Sequence, residues 1–312
     1  MKKAALSSLL AALIITATAT TALAAEAADN RTLSVSGEAT LQWERVKPKA
    51  DPDSHTGEQT FILNFSQPLS DNVSAYARFA YRNFSGDNTD DSIHEVDQFG
   101  LIYETPGGTL TLGSQEAELG TLSGLADLTE VGRDNMFRGV TWASESEQKN
   151  LKLLVGKVDK NLLETNNNKT VTGLEVSKAF GDVTVSGEYL HVSNNPSVNS
   201  VYGLGLKTAM DKWEFAFEGL RSSADQAASG MLAGVTYAAT EKETISATYR
   251  NLKANSVVTG LATYDANTKG VELAWEKNLT DRWSVKLSHE WAKTIDTQNK
   301  ERIAAIETTY TF

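Results

Sequence analysis

The side chains able to do chemistry in this chain are mostly carboxylates, and one stretch gathers them. The segment "SQEAELGTLSGLADLTEVGRDNMF", residues 114–137, carries Glu116, Glu118, Asp127, Glu130 and Asp134 against one base, Arg133. Grouped acids attract cations and set a local field, and two acids at a cleft can also work as general acid and base. Covalent catalysis needs a nucleophile with a base beside it. Cysteine is absent, which excludes disulfides, thiol nucleophiles and thiolate metal sites. The four histidines, His55, His94, His191 and His289, lie far apart, and no two fall at i, i+4. There is no phosphate-loop Gly-Lys motif, metal spacing or dinucleotide fingerprint. No cofactor and no metal are expected. His94 and His191 fall at predicted strand ends, where a nearby serine would give the single opening for an enzyme.

The elements that must position these acids are strands. Only 5 prolines but 22 glycines are present, with abundant Thr, Ser, Val and Tyr. "LSVSGEATLQW" puts Leu33, Val35, Ala39, Leu41 and Trp43 on one face and Ser34, Ser36, Glu38, Thr40 and Gln42 on the other. "KWEFAFEGL" puts Trp213, Phe215 and Phe217 opposite Glu214 and Glu218, and "KGVELAWEK" puts Val271, Leu273 and Trp275 opposite Glu272 and Glu276. Sixteen such segments are predicted, near 31–45, 58–66, 72–84, 94–105, 107–115, 135–143, 149–158, 169–180, 182–193, 199–209, 212–222, 228–240, 242–254, 265–277, 282–294 and 299–312. In 94–105, 135–143 and 149–158 the faces do not separate cleanly, as a bulge would cause. The middle of 114–137 has a mildly helical pattern.

Connections alternate between long and short. Long ones include "VKPKADPDSHTG", "VDKNLLETNNN" and "NSVVTGLATYDANT"; short ones include "TPGG", "FGD" and "AMDK". Alternation sorts all short turns to one end and all long loops to the other, as in an outer-membrane barrel. There the apolar face meets lipid and the polar face meets a water-filled lumen. Lipid offers no partner for edge N–H and C=O groups, so the last strand must pair with the first. The chain indeed alternates to its last residue: Ile306, Thr308, Tyr310 and Phe312 share one face. Aromatics near predicted strand ends, among them Trp43, Tyr81, Tyr103, Phe180, Trp213 and Trp283, suit interfacial girdles.

The first residues read as an export signal. Met1-Lys2-Lys3 is followed by an apolar run ending in Ala22-Leu23-Ala24, so cleavage is expected after Ala24, with Ala27 the second choice. The expected division is a signal peptide at 1–24 and a barrel at 25–312. The formal net charge is −11, or −13 once Lys2 and Lys3 leave with the signal. No basic stripe exists to neutralise phosphates, which disfavours nucleic acid as a partner.

In strand number, loop order and the terminal Tyr310 and Phe312, the mature chain resembles the trimeric general diffusion porins of Gram-negative bacteria. The resemblance implies an all-β, transmembrane, antiparallel up-and-down barrel of about sixteen strands, with the third extracellular loop folded into the lumen. That loop would be 114–137, with Glu116, Glu118, Asp127, Glu130 and Asp134 as the acidic side of a pore constriction. Its leucines, Leu119, Leu122, Leu125 and Leu128, need a wall to cover them. The opposing basic wall would be Arg78 and Arg82, inward by alternation, with Lys207, Arg250 and Lys286. Tyr310 and Phe312 would be the signal read by the barrel-insertion machinery. The resemblance further implies a homotrimer among outer-membrane lipid and lipopolysaccharide, with no enzymatic activity. Two departures stand out: Gly113-Ser114-Gln115 replaces the family's usual Gly-Arg-Gln, and the Gly-rich loop tip is missing. The expected function is passive diffusion of ions and small hydrophilic solutes with weak cation preference. The alternatives are a substrate-specific channel, an adhesin on the same barrel, or an outer-membrane lipase or protease.

Overall fold

Segments that alternate at period two pair edge to edge until the last meets the first. The computed structural model describes residues 32–49, 52–87, 92–144, 146 and 149–312. The expected signal peptide lies outside the described residues. Eighteen strands follow in order: β1 Ser34–Pro48, β2 Ser54–Ser70, β3 Val73–Gly86, β4 Ile93–Thr105, β5 Gly108–Gln115, β6 Ala117–Leu119, β7 Ala126–Leu128, β8 Phe137–Ser144, β9 Lys149–Val158, β10 Lys169–Phe180, β11 Val183–Val192, β12 Ser200–Met210, β13 Trp213–Ser222, β14 Ser229–Thr240, β15 Glu243–Leu252, β16 Thr268–Asn278, β17 Trp283–Thr294 and β18 Lys300–Thr311. All but β6 and β7 form one closed antiparallel barrel of sixteen strands in chain order. Each predicted segment corresponds to one barrel strand.

Register assigns the faces. Ala39 pairs with Tyr310, Leu41 with Thr308 and Trp43 with Ile306, all on the outward side. Trp213 and Leu273 are 46% and 43% exposed, so the apolar stripe looks out and not into a core. The aromatics Trp43, Tyr81, Tyr103, Phe180 and Trp283 are exposed on the same surface. The inner face carries the polar set, such as Thr40 opposite Thr309, with their hydroxyls 2.9 Å apart.

The seam needs glycine at 37. Phe312 N–H donates to Gly37 O and Gly37 N–H donates to Phe312 O, both at 3.0 Å. A Cβ at Gly37 would lie 2.4 Å from Ile62 O and 2.6 Å from the Phe312 ring, which stacks on Phe61 at 5.9 Å. The chain therefore ends inside the hydrogen-bonded ladder.

Two local outcomes differ from the sequence pattern. The first long connection shrinks to 49–53, because β1 and β2 extend through most of "VKPKADPDSHTG". Arg45 bonds Asp53 at 2.5 Å and Trp43 stacks on His55 at 5.7 Å, which holds the extended hairpin together. In β4 the register slips between Arg78 and Phe79, which oppose Gln98 and Val96. The extra residue is Asp97, turned inward and fully buried. That bulge is why 94–105 gave no clean alternation.

Candidate functional site

The connection from β5 to β8 is held by the wall it crosses. After Glu116 it makes a two-stranded hairpin, β6 with β7, and a single 3-10 turn at Arg133–Asn135. Its mildly helical middle does not become an α-helix. The N–H groups a helix would turn onto its own carbonyls go to carboxylates of the barrel wall instead. Gly120 N–H donates to Glu175 at 3.1 Å, Thr121 N–H to Glu188 at 3.0 Å, and Leu122 N–H to Glu218 at 2.6 Å. Gly124 N–H reaches the same Glu218 oxygen at 3.3 Å, and Thr121 Oγ1 donates to Glu188 at 2.8 Å. Glu175, Glu188 and Glu218 stand on the inner face of β10, β11 and β13. Glu218 is fully buried beneath the tip. A Cβ at Gly120 or Gly124 would come within 2.5 or 2.7 Å of its Oε1, so two glycines suffice where a Gly-rich tip was missed.

The leucines find their wall. Leu119, Leu125 and Leu128 are buried with the inward Leu154, Val171, Leu190, Val201, Leu220, Leu232 and Leu252, and Leu122 packs at the edge. A second connection, 253–267, joins this cluster through Val257, Val258 and Leu261. Asp127 N–H donates to Leu261 O at 2.5 Å, and Thr263 Oγ1 donates to Asp127 at 2.8 Å. Sequence reading gave 253–267 no role. Its apolar "SVVTGLATY" in a long loop was the available signal.

The predicted acids and bases meet differently from two facing walls. All five bases, Arg78, Arg82, Lys207, Arg250 and Lys286, occupy inner-face positions. Arg78 bonds buried Asp97 through Nε (2.9 Å) and Nη2 (2.7 Å) and pairs with Glu116. Asp97 also accepts Gly132 N–H at 3.0 Å, tying the loop's exit to the same arginine. Arg82 pairs with Glu58 at 2.8 Å and Glu130 at 3.5 Å. Lys207 pairs with Glu214 at 2.9 Å, and Arg250 pairs with Glu290 while lying 4.7 Å from the Tyr264 ring centroid. Lys286 sits opposite Glu276 and Glu307. Of the loop acids, Glu116 and Glu130 reach the predicted bases, Asp134 lies 3.8 Å from Arg138, Asp127 bonds Thr129 and Thr263, and Glu118 is exposed. The bases do not form one cluster.

Open space remains on the inner side. One cavity of about 520 Å³ is lined by Glu44, Glu58, Arg82 and Glu130, three acids against one base. Another of about 360 Å³ is lined by Glu272, Glu276, Lys286 and Tyr264. Tyr264 donates to Glu272 at 3.1 Å. Burial first, then the Glu272 carboxylate, push its phenol above the ordinary range, so it stays a neutral donor.

The histidine alternative resolves to a pair. His191 Nδ1 lies 3.0 Å from Ser200 Oγ, on outward positions of β11 and β12. Among the described residues no carboxylate bonds the other ring nitrogen, and His94 lies outward opposite Tyr81.

A family model described as Gram-negative porin matches residues 10–151, ending in β9, and so includes 114–137. The match takes in just under half of the chain, and what it shows is a similarity to Gram-negative porins. A triple mutant of the Rhodopseudomonas blastica porin superposes with a TM-score of 0.60 at 11% identity, covering 90% of this chain and 100% of that chain. A loop L8 deletion mutant of OmpT, an outer membrane protein of Vibrio cholerae, gives 0.59 at 14% identity, covering 91% and 100%. No curated protein matches the sequence. The fold is that of an outer-membrane β-barrel, whose apolar stripe is the surface that meets lipid.

Proposed function

We propose that this chain is a porin that passes ions and small hydrophilic solutes by passive diffusion, with a weak preference for cations. The observation that carries the reading is the charge left on the inner wall after pairing. Arg78, Arg82, Lys207 and Arg250 are each bound to carboxylates, and the fifth inward base, Lys286, stands opposite two acids, Glu276 and Glu307. Inward Glu38, Glu44, Glu301 and Glu307 take part in no ion pair among the described residues. Glu44 also lies within electrostatic reach of Glu290, Glu58 and Glu301. A permeating cation therefore meets uncompensated negative charge. The preference is weak because a unit charge at ~5 Å in water is worth roughly 0.8 kcal/mol, and salt at ~0.1 M screens it over about 10 Å.

In this reading 114–137 is the constriction loop inside the lumen. Its backbone bonds to Glu175, Glu188 and Glu218 support that position, and 253–267 narrows the same half. A mature chain beginning after Ala24, a homotrimer, and capture of Tyr310 and Phe312 by the insertion machinery complete the reading. The bonding of Phe312 to Gly37 supports the last of these, since the terminal strand is the one that closes the barrel. The test is the reversal potential of E44Q/E301Q in a KCl gradient. The wild type should show a cation-selective potential and the variant a value closer to zero. An unmoved potential, or anion selectivity in the wild type, would overturn the assignment.

A further inference from the structure

The connection from β9 to β10, residues 159–168, is the polar string "DKNLLETNNN" with two leucines inside it. Both leucines, Leu162 and Leu163, pack against the cluster that buries Leu119 and Leu125. The loop's own bonds make it a compact turn. Thr165 N–H donates to Lys160 O at 2.9 Å, Glu164 N–H to Asn161 O at 3.2 Å, and Lys160 N–H to Asn168 Oδ1 at 3.0 Å. It is a preformed piece, able to hold what it touches.

It touches both of the other connections that join this cluster. Leu162 O lies against Gly260, whose φ of +83° and missing side chain admit it; a Cβ there would sit 2.1 Å from that oxygen. Asn161 Nδ2 donates to Asp134 at 2.7 Å. Arg138 joins Asp159 (3.7 Å), Asp134 (3.8 Å) and the Arg133 carbonyl (3.0 Å) at the exit of 114–137. Loop 253–267 in turn reaches 114–137 through Asp127, Leu261 and Thr263. The three loops therefore bond pairwise, and a triangle keeps its shape where a single pair can swing. β10 and β15 stand five interstrand steps apart, about 24 Å along the wall. Contact between 159–168 and 253–267 thus spans the mouth above β11 to β14, whose Leu190, Leu220 and Leu232 belong to the same cluster.

We infer that 159–168 is a strap that positions the constriction. Asn161 and Leu162, acting through Asp134 and Gly260, hold 114–137 and 253–267 together and so set the largest solute the channel admits. The inference rests on the reading that 114–137 narrows the lumen. The test uses the full mature protein and three variants. L162S/L163S removes the strap's apolar anchor, N161A removes its bond to Asp134, and L162M/L163M keeps an anchor of similar volume. Two readouts are taken. Amide hydrogen exchange at Asp127 and Leu122 reports how firmly 114–137 is held, with Phe312 N–H at the barrel seam as the control for an intact fold. Planar-bilayer recording with polyethylene glycols of graded size reports the exclusion limit. In L162S/L163S, exchange at Asp127 should quicken roughly tenfold, the factor that follows from losing about one leucine's burial. Polymers that the wild type excludes should enter the same variant, while Phe312 exchanges at the wild-type rate. N161A should shift both readouts in the same direction by less, and L162M/L163M should match the wild type. Unchanged exchange at Asp127 in L162S/L163S, or an equal shift in L162M/L163M, would overturn the strap. Faster exchange with an unchanged exclusion limit would overturn its control of solute size, and with it the reading that 114–137 narrows the lumen. Absence of current steps in the wild type would sink the channel reading, and exchange at Asp127 would still decide whether the strap holds the loop.

Discussion

Glu218→Ala strips the loop tip of its most buried acceptor. The carboxylate takes Leu122 N–H at 2.6 Å and Gly124 N–H at 3.3 Å, and it is fully buried. Leaving a buried donor unsatisfied costs about 1–3 kcal/mol. The longer bond belongs at the low end, so the two together weaken the seat by about 3 kcal/mol. At about 1.4 kcal/mol per factor of ten, the ratio of unseated to seated tips should rise roughly a hundredfold. Full release is not expected, because Glu175 and Glu188 still hold Gly120 and Thr121, and Leu119 and Leu125 remain buried. Single-channel recording reads this directly. The variant should keep its main conductance level while adding frequent brief substates and open-channel noise. A folded variant, shown by its heat-dependent shift on gel electrophoresis, with noise identical to the wild type would refute the carboxylate seat.

Arg78→Ala should lower the unfolding temperature sharply, since it leaves Asp97 buried without its cation, a change worth about 3–5 kcal/mol; R78A/D97A should recover part of the loss. Gly37→Ala should weaken barrel closure by about 1–3 kcal/mol because its Cβ would meet Ile62 O and the Phe312 ring, whereas Gly187→Ala, with nothing within 4 Å, should not; the folded fraction after refolding compares them. Replacing Val257, Val258 and Leu261 together by Asn should release 253–267 from the leucine cluster and raise unit conductance; unchanged conductance would show that this loop does not narrow the pore.

The strands were legible because one face of each meets a different solvent from the other, which writes period two into composition. The terminal Phe312 was legible for the same reason. The Asp97 bulge was not, because a slip of one residue changes register without changing composition. The loop seat was half legible. Glu188 and Glu218 could be placed on the polar face, yet their partners are backbone N–H groups, which leave no residue signature. The leucines of 114–137 announced a buried partner without saying which strands supplied it. Pairing within the channel was illegible as well: Arg250 and Glu290 come together only through the registers of three adjacent strands.

The central claim is a water-filled passage whose uncompensated wall charge is negative. Planar-bilayer recording of the purified protein in a salt gradient tests it most directly. The account predicts discrete, ohmic current steps that grow with salt concentration and reverse at a cation-selective potential. Absence of steps, or a reversal potential of the anion-selective sign, would contradict it.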